Sequence, residues 1–391
     1  MSEFPDSARQ PGRRTAATGL RHRLAELRGP DHPPRPLDAR ALAALAANPG
    51  CRRRALLDGA GVDKARIADA LGAPSSFGQS QFALARGNVF EARVKSDGGS
   101  ELVKLVHARV DGAAPEPTPD LVRAPDLSAI GPEGRTARTA LALREAAEAA
   151  GTPDTPGTWT FLDHPMLALD VAGSPAFLEP DAVVVHPDGS WTVVEIKSFP
   201  MIDGAADASK VGAAARQAAV YVLALEEVAA RMPDAGVRVR DRIVLVCPKD
   251  FSNLPAASAV DVRKQRAVTR RQLARLTRVE DIAAALPPGT VFDPELPEAE
   301  LTAAVESVPA TYAPECLAAC ELAFHCRDRA REGGAVTALG RPLRAELGAL
   351  TTVESVLAAA RGEAGDPADP TVAALRRAVA LRVEALGGVR C

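Results

Sequence analysis

Hydrophobic positions repeat with two different periods along the chain, one typical of strands and one typical of helices. The change from one period to the other predicts where strands and helices lie. Short apolar runs rich in β-branched residues predict strands at Thr158–Val171, Ala176–His186, Trp191–Phe199 and Arg240–Cys247. Helical spacing predicts a long helix from about Ala205 to Met232, between the third and fourth strands. Three strands in a meander, a helix and a further strand indicate an α/β fold.

The regions around this core differ in composition. Residues 1–37 are rich in Arg and Pro and are predicted to be a disordered arm. Residues 38–108 are predicted to be helical, and residues 109–157 carry the many Pro and Gly residues typical of an insertion. The core covers residues 158–286, with a basic helix at its end. A cysteine-bearing segment, 287–330, and C-terminal helices, 331–391, follow it.

Composition narrows the class of protein. Hydrophobic residues make up 47% and charged residues 25% of the chain, which is typical of a globular protein and unlike a disordered or fibrous one. No apolar run approaches the roughly 18 residues of a membrane span, and the start of the chain lacks the apolar stretch of a secretory signal. We therefore expect a cytoplasmic protein that does not engage a membrane. The net charge of −3 gives no global basic signature.

The strand pair around the His186–Gly189 turn carries the most informative side chains. Alternation along a strand places Glu195 and Lys197 on one face and directs Ile196 into the core. A hairpin brings Asp181 beside that pair. Hard oxygen ligands of this kind bind Mg²⁺, which activates water for attack on a phosphodiester. A solvated hairpin with a surface ion pair is the alternative interpretation of these three residues.

Two further segments can contribute to the same site. Lys210, Gln217 and Tyr221 are seven and four residues apart, which places them on one stripe of the long helix. Such a polar stripe suits contact with phosphates near a metal. Glu91 follows Gly87 by four residues on a predicted helix and could supply a third metal ligand.

Together these motifs resemble the PD-(D/E)XK nuclease superfamily in its RecB-like branch, which carries a QxxxY motif one helix after the ExK strand. The resemblance covers roughly residues 80–250 and implies a restriction-endonuclease-like αβββαβ core. It implies that Asp181, Glu195 and the Ile196 carbonyl bind Mg²⁺ or Mn²⁺ and that Lys197 assists catalysis. It also implies that Gln217 and Tyr221 hold DNA. Many members have His where this chain has Glu91, so Glu91 is the corresponding ligand candidate.

The cysteines extend the resemblance. Cys51 precedes the core, and Cys316, Cys320 and Cys326 follow it. The branch that includes the CRISPR-adaptation and AddB-type nucleases uses one Cys before the core and three after it to hold a [4Fe–4S] cluster. This chain has C-x3-C-x5-C where that branch has C-x2-C-x5-C. Zn²⁺ is an alternative occupant of four thiolates, and three half-buried cysteines on one helix are the alternative to any metal.

The function expected from the resemblance is metal-dependent hydrolysis of DNA, on single strands or ends, in repair, recombination or defence. Arg52, Arg53, Arg270 and Arg271 belong to two basic stretches that could contact a phosphate backbone, although a solvated helical face explains them equally well. A helicase, an integrase or another repair or defence protein is a possible partner. The alternatives are a non-catalytic DNA-binding Fe–S scaffold and a nuclease that acts on RNA.

Overall fold

β-Branched and aromatic residues form the strands at the centre of the chain. The computed structural model describes residues 11–74, 81–111, 116–150, 157–172, 174–232, 236–250 and 252–387. The described strands are β1 Val122–Arg123, β2 Trp159–Asp163, β3 Leu167–Val171, β4 Ser174–Leu178, β5 Ala182–Val185, β6 Trp191–Ile196, β7 Arg242–Pro248 and β8 Pro255–Asp261. Together with helices they make a mixed α/β protein.

Six of these strands form one mixed sheet in the order β1-β2-β5-β6-β7-β8. β5 pairs antiparallel with β2 on one side and with β6 on the other, whereas β6 and β7 are parallel. β8 returns antiparallel on β7, and the short β1 runs parallel to β2. β3 and β4 form a separate antiparallel hairpin.

The chain divides into two compact units. The sheet unit comprises Pro34–Pro49 and Gly78–Ala284. Its helices are α2 Ala39–Ala47, α5 Gln81–Val94, α6 Ser100–Val110, α7 Gly131–Ala150, α8 Ala208–Ala229, α9 Arg263–Leu273 and α10 Val279–Ala284. One core cluster joins residues of α5 and α6 to one face of the sheet, including Phe90, Val103, Val184 and Ile196. Helix α8 contacts β6 and packs on α2 and α9.

The other unit, the cysteine unit, comprises Met1–Pro33, Gly50–Phe77 and Ala285–Cys391. Its described helices are α1 Pro11–Arg28, α3 Arg52–Gly59, α4 Lys64–Ala70, α11 Glu298–Glu306, α12 Ala323–Glu332, α13 Arg341–Glu346, α14 Val353–Arg361 and α15 Pro370–Gly387. Both cysteine-bearing segments therefore belong to one unit although the core separates them in sequence. No described helix has the length and apolar character that a membrane span requires.

Several predicted elements differ from the observed ones. The prediction of disorder over residues 1–37 is wrong where the structure describes the arm: residues 11–28 form α1. Leu24 and Leu27, spaced three apart, are buried and provide the apolar contact that a helix needs. The predicted helical part 38–108 is also divided, since residues 50–77 belong to the cysteine unit.

The strand predictions merged elements that the structure separates. The predicted strand Thr158–Val171 is two strands, β2 and β3, because the chain turns at His164 and Pro165, where His164 has a φ of +44°. The predicted strand Ala176–His186 is likewise β4 and β5, separated by Glu179–Asp181. β8 was not predicted, since its run PAASAVD is small and weakly apolar. The basic helix predicted from Asp261 to Leu286 is divided in the structure into two shorter helices, α9 and α10.

A buried polar network joins the hairpin turn of β5 and β6 to the end of α6. His186 is 1% exposed, and its Nδ1 lies 2.5 Å from Asp111 Oδ2 while its Nε2 lies 2.7 Å from Thr192 Oγ1. Arg240 donates to the other oxygen of Asp111 at 2.7 Å and to Ser190 Oγ at 2.6 Å. Burial lowers the pKa of His186. Burial alone would raise the pKa of Asp111, but hydrogen bonds from His186 and Arg240 lower it to about 2.

This network predicts a pH-dependent contribution to stability. Because the pKa of Asp111 is lowered to about 2, the carboxylate stabilises the fold above its ordinary pKa, and the contribution is lost as the pH falls towards 2. Asp111→Asn should therefore reduce the free energy of unfolding by roughly 2 kcal/mol at neutral pH and by progressively less between about pH 4 and pH 2. Urea unfolding across this pH range measures the difference.

The matched control is Asp120→Asn, which changes an exposed carboxylate of the same unit and should have little effect at any pH. A difference between wild type and Asp111→Asn that stays constant from pH 7 to about pH 2 would contradict the assignment.

Candidate active site

Three strand ends bring the predicted catalytic residues together at one edge of the sheet. Asp181 directly precedes β5, and Glu195 and Ile196 end β6. Because β5 and β6 are antiparallel, with Ala182 opposite Val194, the start of one strand meets the end of the other. Lys197 follows β6, and its backbone N–H donates to the Val246 carbonyl of β7 at 2.9 Å.

The carboxylate of Glu195 is the most deeply buried group of this edge. The residue is 0% exposed, and Oε1 makes no hydrogen bond. Oε2 forms a close ion pair with the Lys197 ammonium. Burial raises the pKa of Glu195 to about 7, since the negative charges of Asp181 and Glu91 add to that effect and Lys197 opposes it. Burial of the Lys197 ammonium would lower its pKa, but the charges of Glu195 and Asp181 outweigh burial and raise that pKa.

Asp181 is held by the backbone of the neighbouring strand. Its Oδ2 accepts a hydrogen bond from the Ile196 N–H at 2.6 Å, and Lys197 Nζ lies 3.4 Å from the same oxygen. Ile196 itself is 8% exposed and belongs to the core cluster, so alternation along β6 operates as the sequence predicts. The structure thus brings Asp181, Glu195 and Lys197 within one set of contacts.

Glu91 reaches the same edge from α5. Its Oε1 lies 2.5 Å from Lys95 Nζ and 3.0 Å from His164 Nε2. Burial would raise the pKa of Glu91, but the hydrogen bonds from His164 and Lys95 lower it to about 2. The hydrogen bond with Glu91 raises the pKa of His164 in turn. Glu91 is therefore a carboxylate that the protein keeps ionised.

An ion pair braces the two segments that precede β3 and β5. Arg135 of α7 donates to Glu179 Oε1 at 2.6 Å and to the His164 carbonyl at 2.9 Å. The His164 N–H in turn points to the Asp181 carbonyl at 3.4 Å. Arg135 therefore ties the strained residue His164 to the segment that carries Asp181.

Tyr221 contributes to the same segment from α8. Its ring is 4% exposed, and the hydroxyl donates to the Glu179 carbonyl at 3.1 Å while Gln217 Nε2 donates to the hydroxyl at 3.1 Å. Burial raises the pKa of Tyr221 well above its ordinary value. The QxxxY pair thus reaches the backbone two residues before Asp181. Its predicted contact with DNA stays a prediction.

The other residues predicted to bind DNA differ in exposure. Lys210 is exposed, with its ammonium 5.7 Å from the centre of the Phe199 ring. On α9, Arg270 and Arg271 are both exposed, and Arg270 also forms an ion pair with Glu226 of α8. In the cysteine unit Arg52 is exposed, but Arg53 is only 6% exposed.

The guanidinium of Arg53 is used inside the cysteine unit. It donates from Nε to the Val308 carbonyl at 3.1 Å and from a terminal nitrogen to Cys326 Sγ at 3.3 Å. In this position Arg53 contacts a thiol and a carbonyl instead of solvent, so α3 presents Arg52 as its surface basic group.

Three of the four predicted cluster cysteines are connected by electrostatic influence on the thiol of Cys326. Cys51 begins α3, Cys316 lies in the 3-10 turn Pro314–Ala318, and Cys326 lies in α12. Burial raises the pKa of Cys326, Arg53 opposes this, and negative charge on Cys51 or Cys316 would raise the pKa further. The thiol of Cys326 therefore lies within electrostatic range of Cys51 and Cys316.

Cys320 has different neighbours. Burial raises the pKa of its thiol to about 12, opposed by Arg54 and Lys64. These two cations belong to a buried ion cluster in which Arg54 Nε lies 3.0 Å from Asp58 Oδ2 and Lys64 forms a close ion pair with the same carboxylate. The Cys320 N–H donates to the Cys316 carbonyl at 2.8 Å, so the two cysteines share one turn of backbone.

Of the two remaining cysteines, Cys247 belongs to the sheet unit. Cys247 is 0% exposed in β7, where burial raises its pKa to about 12, as expected for a core residue. Cys391 lies outside the described residues. Over the described part of the chain, no set of three or more His, Cys, Asp or Glu side chains stands in a metal-coordinating arrangement.

The chemistry of both donor sets nevertheless fits the metals that the sequence predicts. At the sheet edge, Glu195 Oε1 is a buried carboxylate oxygen without a hydrogen bond to any described residue, and such an oxygen requires a cation or a proton. Asp181 and Glu195 both pair with the Lys197 ammonium, and carboxylate oxygens are the ligands of a hard divalent cation. In the cysteine unit the donors are thiols, which suit iron–sulfur or zinc.

Sequence reasoning missed Lys95, His164, Asp163 and Arg135. Nothing in the local sequence of His164 distinguishes it from a solvated loop residue. The available signal was the position of Lys95, one helical turn after Glu91, which places the two side chains on the same face.

Comparison with protein-family models, with curated proteins and with solved structures gives no match to this chain. The function therefore has to be inferred from the site itself.

The contact between Tyr221 and Glu179 predicts a measurable effect on stability. Tyr221→Phe removes the only hydroxyl donor shown for the Glu179 carbonyl in the described structure, and we expect the free energy of unfolding to fall by about 1 kcal/mol. Tryptophan fluorescence in urea is a suitable measurement, since Trp159 and Trp191 both lie in strands of the sheet unit. Tyr312→Phe, in the cysteine unit, controls for loss of a tyrosine hydroxyl elsewhere. An unchanged unfolding midpoint in Tyr221→Phe would argue that the hydroxyl does not brace this segment.

Proposed function

We propose that this protein is a metal-dependent nuclease that hydrolyses phosphodiester bonds of DNA. The observation that carries the proposal is that Asp181 and Glu195 both pair with the Lys197 ammonium. Glu91 is connected to the same place through Lys95, whose Nζ contacts Glu91 Oε1 and the Asp181 carbonyl. A buried carboxylate with an oxygen that lacks a hydrogen bond is costly to the fold, and proteins retain such a group mainly where it binds a cation or takes part in chemistry.

Each residue has a role that its position supports. Asp181 and Glu195 would bind Mg²⁺ or Mn²⁺, and Glu91 would contribute from α5. A bound divalent cation would polarise the scissile phosphate and lower the pKa of an attacking water. Lys197, already paired with Glu195, presents positive charge to the same place and would stabilise the negative charge that develops on the phosphate. Gln217 and Tyr221 would keep the segment before Asp181 in position.

The basic groups on the surface fit a nucleic-acid substrate. Lys264, Arg271 and Arg275 are exposed on and after α9, and Lys210 is exposed near the start of α8. Positively charged side chains of this kind bind the phosphate backbone without reading sequence. DNA is proposed as the substrate because of the resemblance of the motifs, and RNA cleavage is an outcome that the assay separates.

The first test is cleavage of end-labelled single- and double-stranded DNA, with RNA alongside, in Mg²⁺ or Mn²⁺. Asp181→Asn keeps an oxygen that can accept from the Ile196 N–H but removes the charge. We expect it to reduce cleavage by at least about 100-fold while DNA binding is retained.

The matched control is Asp120→Asn, which removes an exposed carboxylate of the same unit and should cleave like wild type. Circular dichroism checks that both variants fold. Equal cleavage by Asp181→Asn and wild type would reject the site, and cleavage of RNA alone would reassign the substrate. If neither nucleic acid is cleaved and DNA binding does not depend on a divalent cation, the scaffold function would be favoured.

We further propose that the cysteine unit holds a [4Fe–4S] cluster through Cys51, Cys316, Cys320 and Cys326. Its support is that one compact unit contains all four cysteines and that Cys51 and Cys316 influence the thiol of Cys326 electrostatically. Cys320 would join them by rotation of its side chain, since its backbone is already bonded to that of Cys316. Cluster ligands are thiolates, and Arg53 beside Cys326 would stabilise the negative charge.

Anaerobically purified protein should therefore contain about four irons per chain and absorb visible light. Cys326→Ala should lose the iron and the colour, whereas the control Cys247→Ala removes a cysteine of the sheet unit and should retain both. If the protein contains zinc instead of iron and does not absorb visible light, the proposed cluster would have to be replaced by a zinc site. Absence of both metals would reject a metal in this unit.

A further inference from the structure

The ammonium of Lys95 lies in a cage of acceptors beside the proposed metal ligands. Its Nζ lies 2.5 Å from Glu91 Oε1, 2.7 Å from Asp163 Oδ1 and 2.7 Å from the Asp181 carbonyl. An ammonium has three protons, and these three oxygens provide three partners. The Lys95 side chain is only 8% exposed, so water supplies little of its solvation.

The origin of the cage lies in the same sheet edge that forms the site. Asp163 ends β2 and pairs with Ala182 of β5, which places it beside the start of β5, where Asp181 lies. Lys95 follows the last turn of α5 and reaches the cage from the helix that carries Glu91. His164 Nε2 lies 3.1 Å from Lys95 Nζ and 3.0 Å from Glu91 Oε1, which completes the surroundings.

Two carboxylate oxygens and a backbone carbonyl around one positive charge are donors that a divalent cation would use. In two-metal nucleases the ions lie about 3.5–4 Å apart and share carboxylate ligands. In this protein the positive charge beside Glu91 is the ammonium of Lys95. A metal ion in that place would have to displace the ammonium from all three oxygens.

We propose that the Lys95 ammonium is a fixed cation in the position of a second divalent ion beside Glu91, so that the site binds one divalent cation. The inference rests on the proposed function, because it assumes that Asp181 and Glu195 bind metal. It goes beyond that function by stating how many ions the site takes and which residue sets the number.

The charges at the edge support one ion. When ionised, the four carboxylates of Glu91, Asp163, Asp181 and Glu195 carry four negative charges, and Lys95 and Lys197 carry two positive charges. One divalent cation balances the remainder, whereas a second would leave an excess of positive charge. Replacing Lys95 by a neutral residue removes one positive charge and opens the cage, and both changes favour a second ion.

The test is the number of Mn²⁺ ions bound to the full chain, measured by isothermal titration calorimetry and by electron paramagnetic resonance. We expect wild type to bind one Mn²⁺ per chain and Lys95→Met to bind two. The resonance spectrum of the variant should show the magnetic coupling of two neighbouring ions. Lys95→Gln keeps a hydrogen-bond donor without the charge and should also bind two, which separates loss of charge from loss of packing.

Lys104→Met is the matched control, since Lys104 lies on α6 and is not one of the groups around Glu91; it should bind one ion. Circular dichroism checks the fold of each variant. Two ions in wild type, or one ion in both Lys95 variants, would overturn the inference and leave the proposed function intact. Failure of wild type to bind any Mn²⁺ would overturn both.

Discussion

Burial of the Glu195 carboxylate at the end of a central strand is the constraint on which the arrangement of the site depends. Alternation along β6 directs Ile196 and Glu195 to opposite faces of the strand, and both faces are covered, since every residue of β6 is buried. An ionised carboxylate in this position needs a nearby cation; burial raises the pKa of Glu195 to about 7, although Lys197 opposes this. A buried ion pair of this kind contributes little to stability, so its retention is better explained by chemistry than by folding.

The surrounding residues either add to this negative charge, compensate it, or hold the backbone segments that carry the charged groups. Asp181 adds a second carboxylate within reach of Lys197 and is fixed by the Ile196 N–H. Glu91 adds a third, and Lys95 and His164 compensate it. Arg135 and Tyr221 do not touch Glu195 but hold the backbone segments from which Asp181 and His164 extend. The positive φ of His164 persists because this bracing compensates its strain.

Much of the site could be predicted from the sequence because it follows from local periodicity. Strand alternation and a hairpin are sufficient to place Asp181, Glu195 and Lys197 together, and helical spacing aligns Gln217 with Tyr221. The prediction failed where contacts between distant segments decide the outcome. The helix α1 depends on burial of Leu27, β8 depends on pairing with β7, and the cage around Lys95 requires α5, β2 and β5 to meet. Helical spacing relates Leu24 to Leu27 and Glu91 to Lys95, but it does not say which distant segment each of them contacts.

The basic triplet after Cys51 illustrates the same limit and bears on the cysteine unit. Arg52, Arg53 and Arg54 look equivalent in sequence, yet only Arg52 is exposed, while Arg53 contacts Cys326 and Arg54 lies near Cys320. Neutral thiols offer a buried guanidinium little compensation, and Asp58 already pairs with Arg54 and Lys64. Thiolates bound to a metal would provide the missing negative charge. In the described structure the hydrogen-bond acceptors of Arg53 are a carbonyl and the Cys326 sulfur and include no carboxylate, so the proposed cluster would supply the negative charge that the guanidinium lacks.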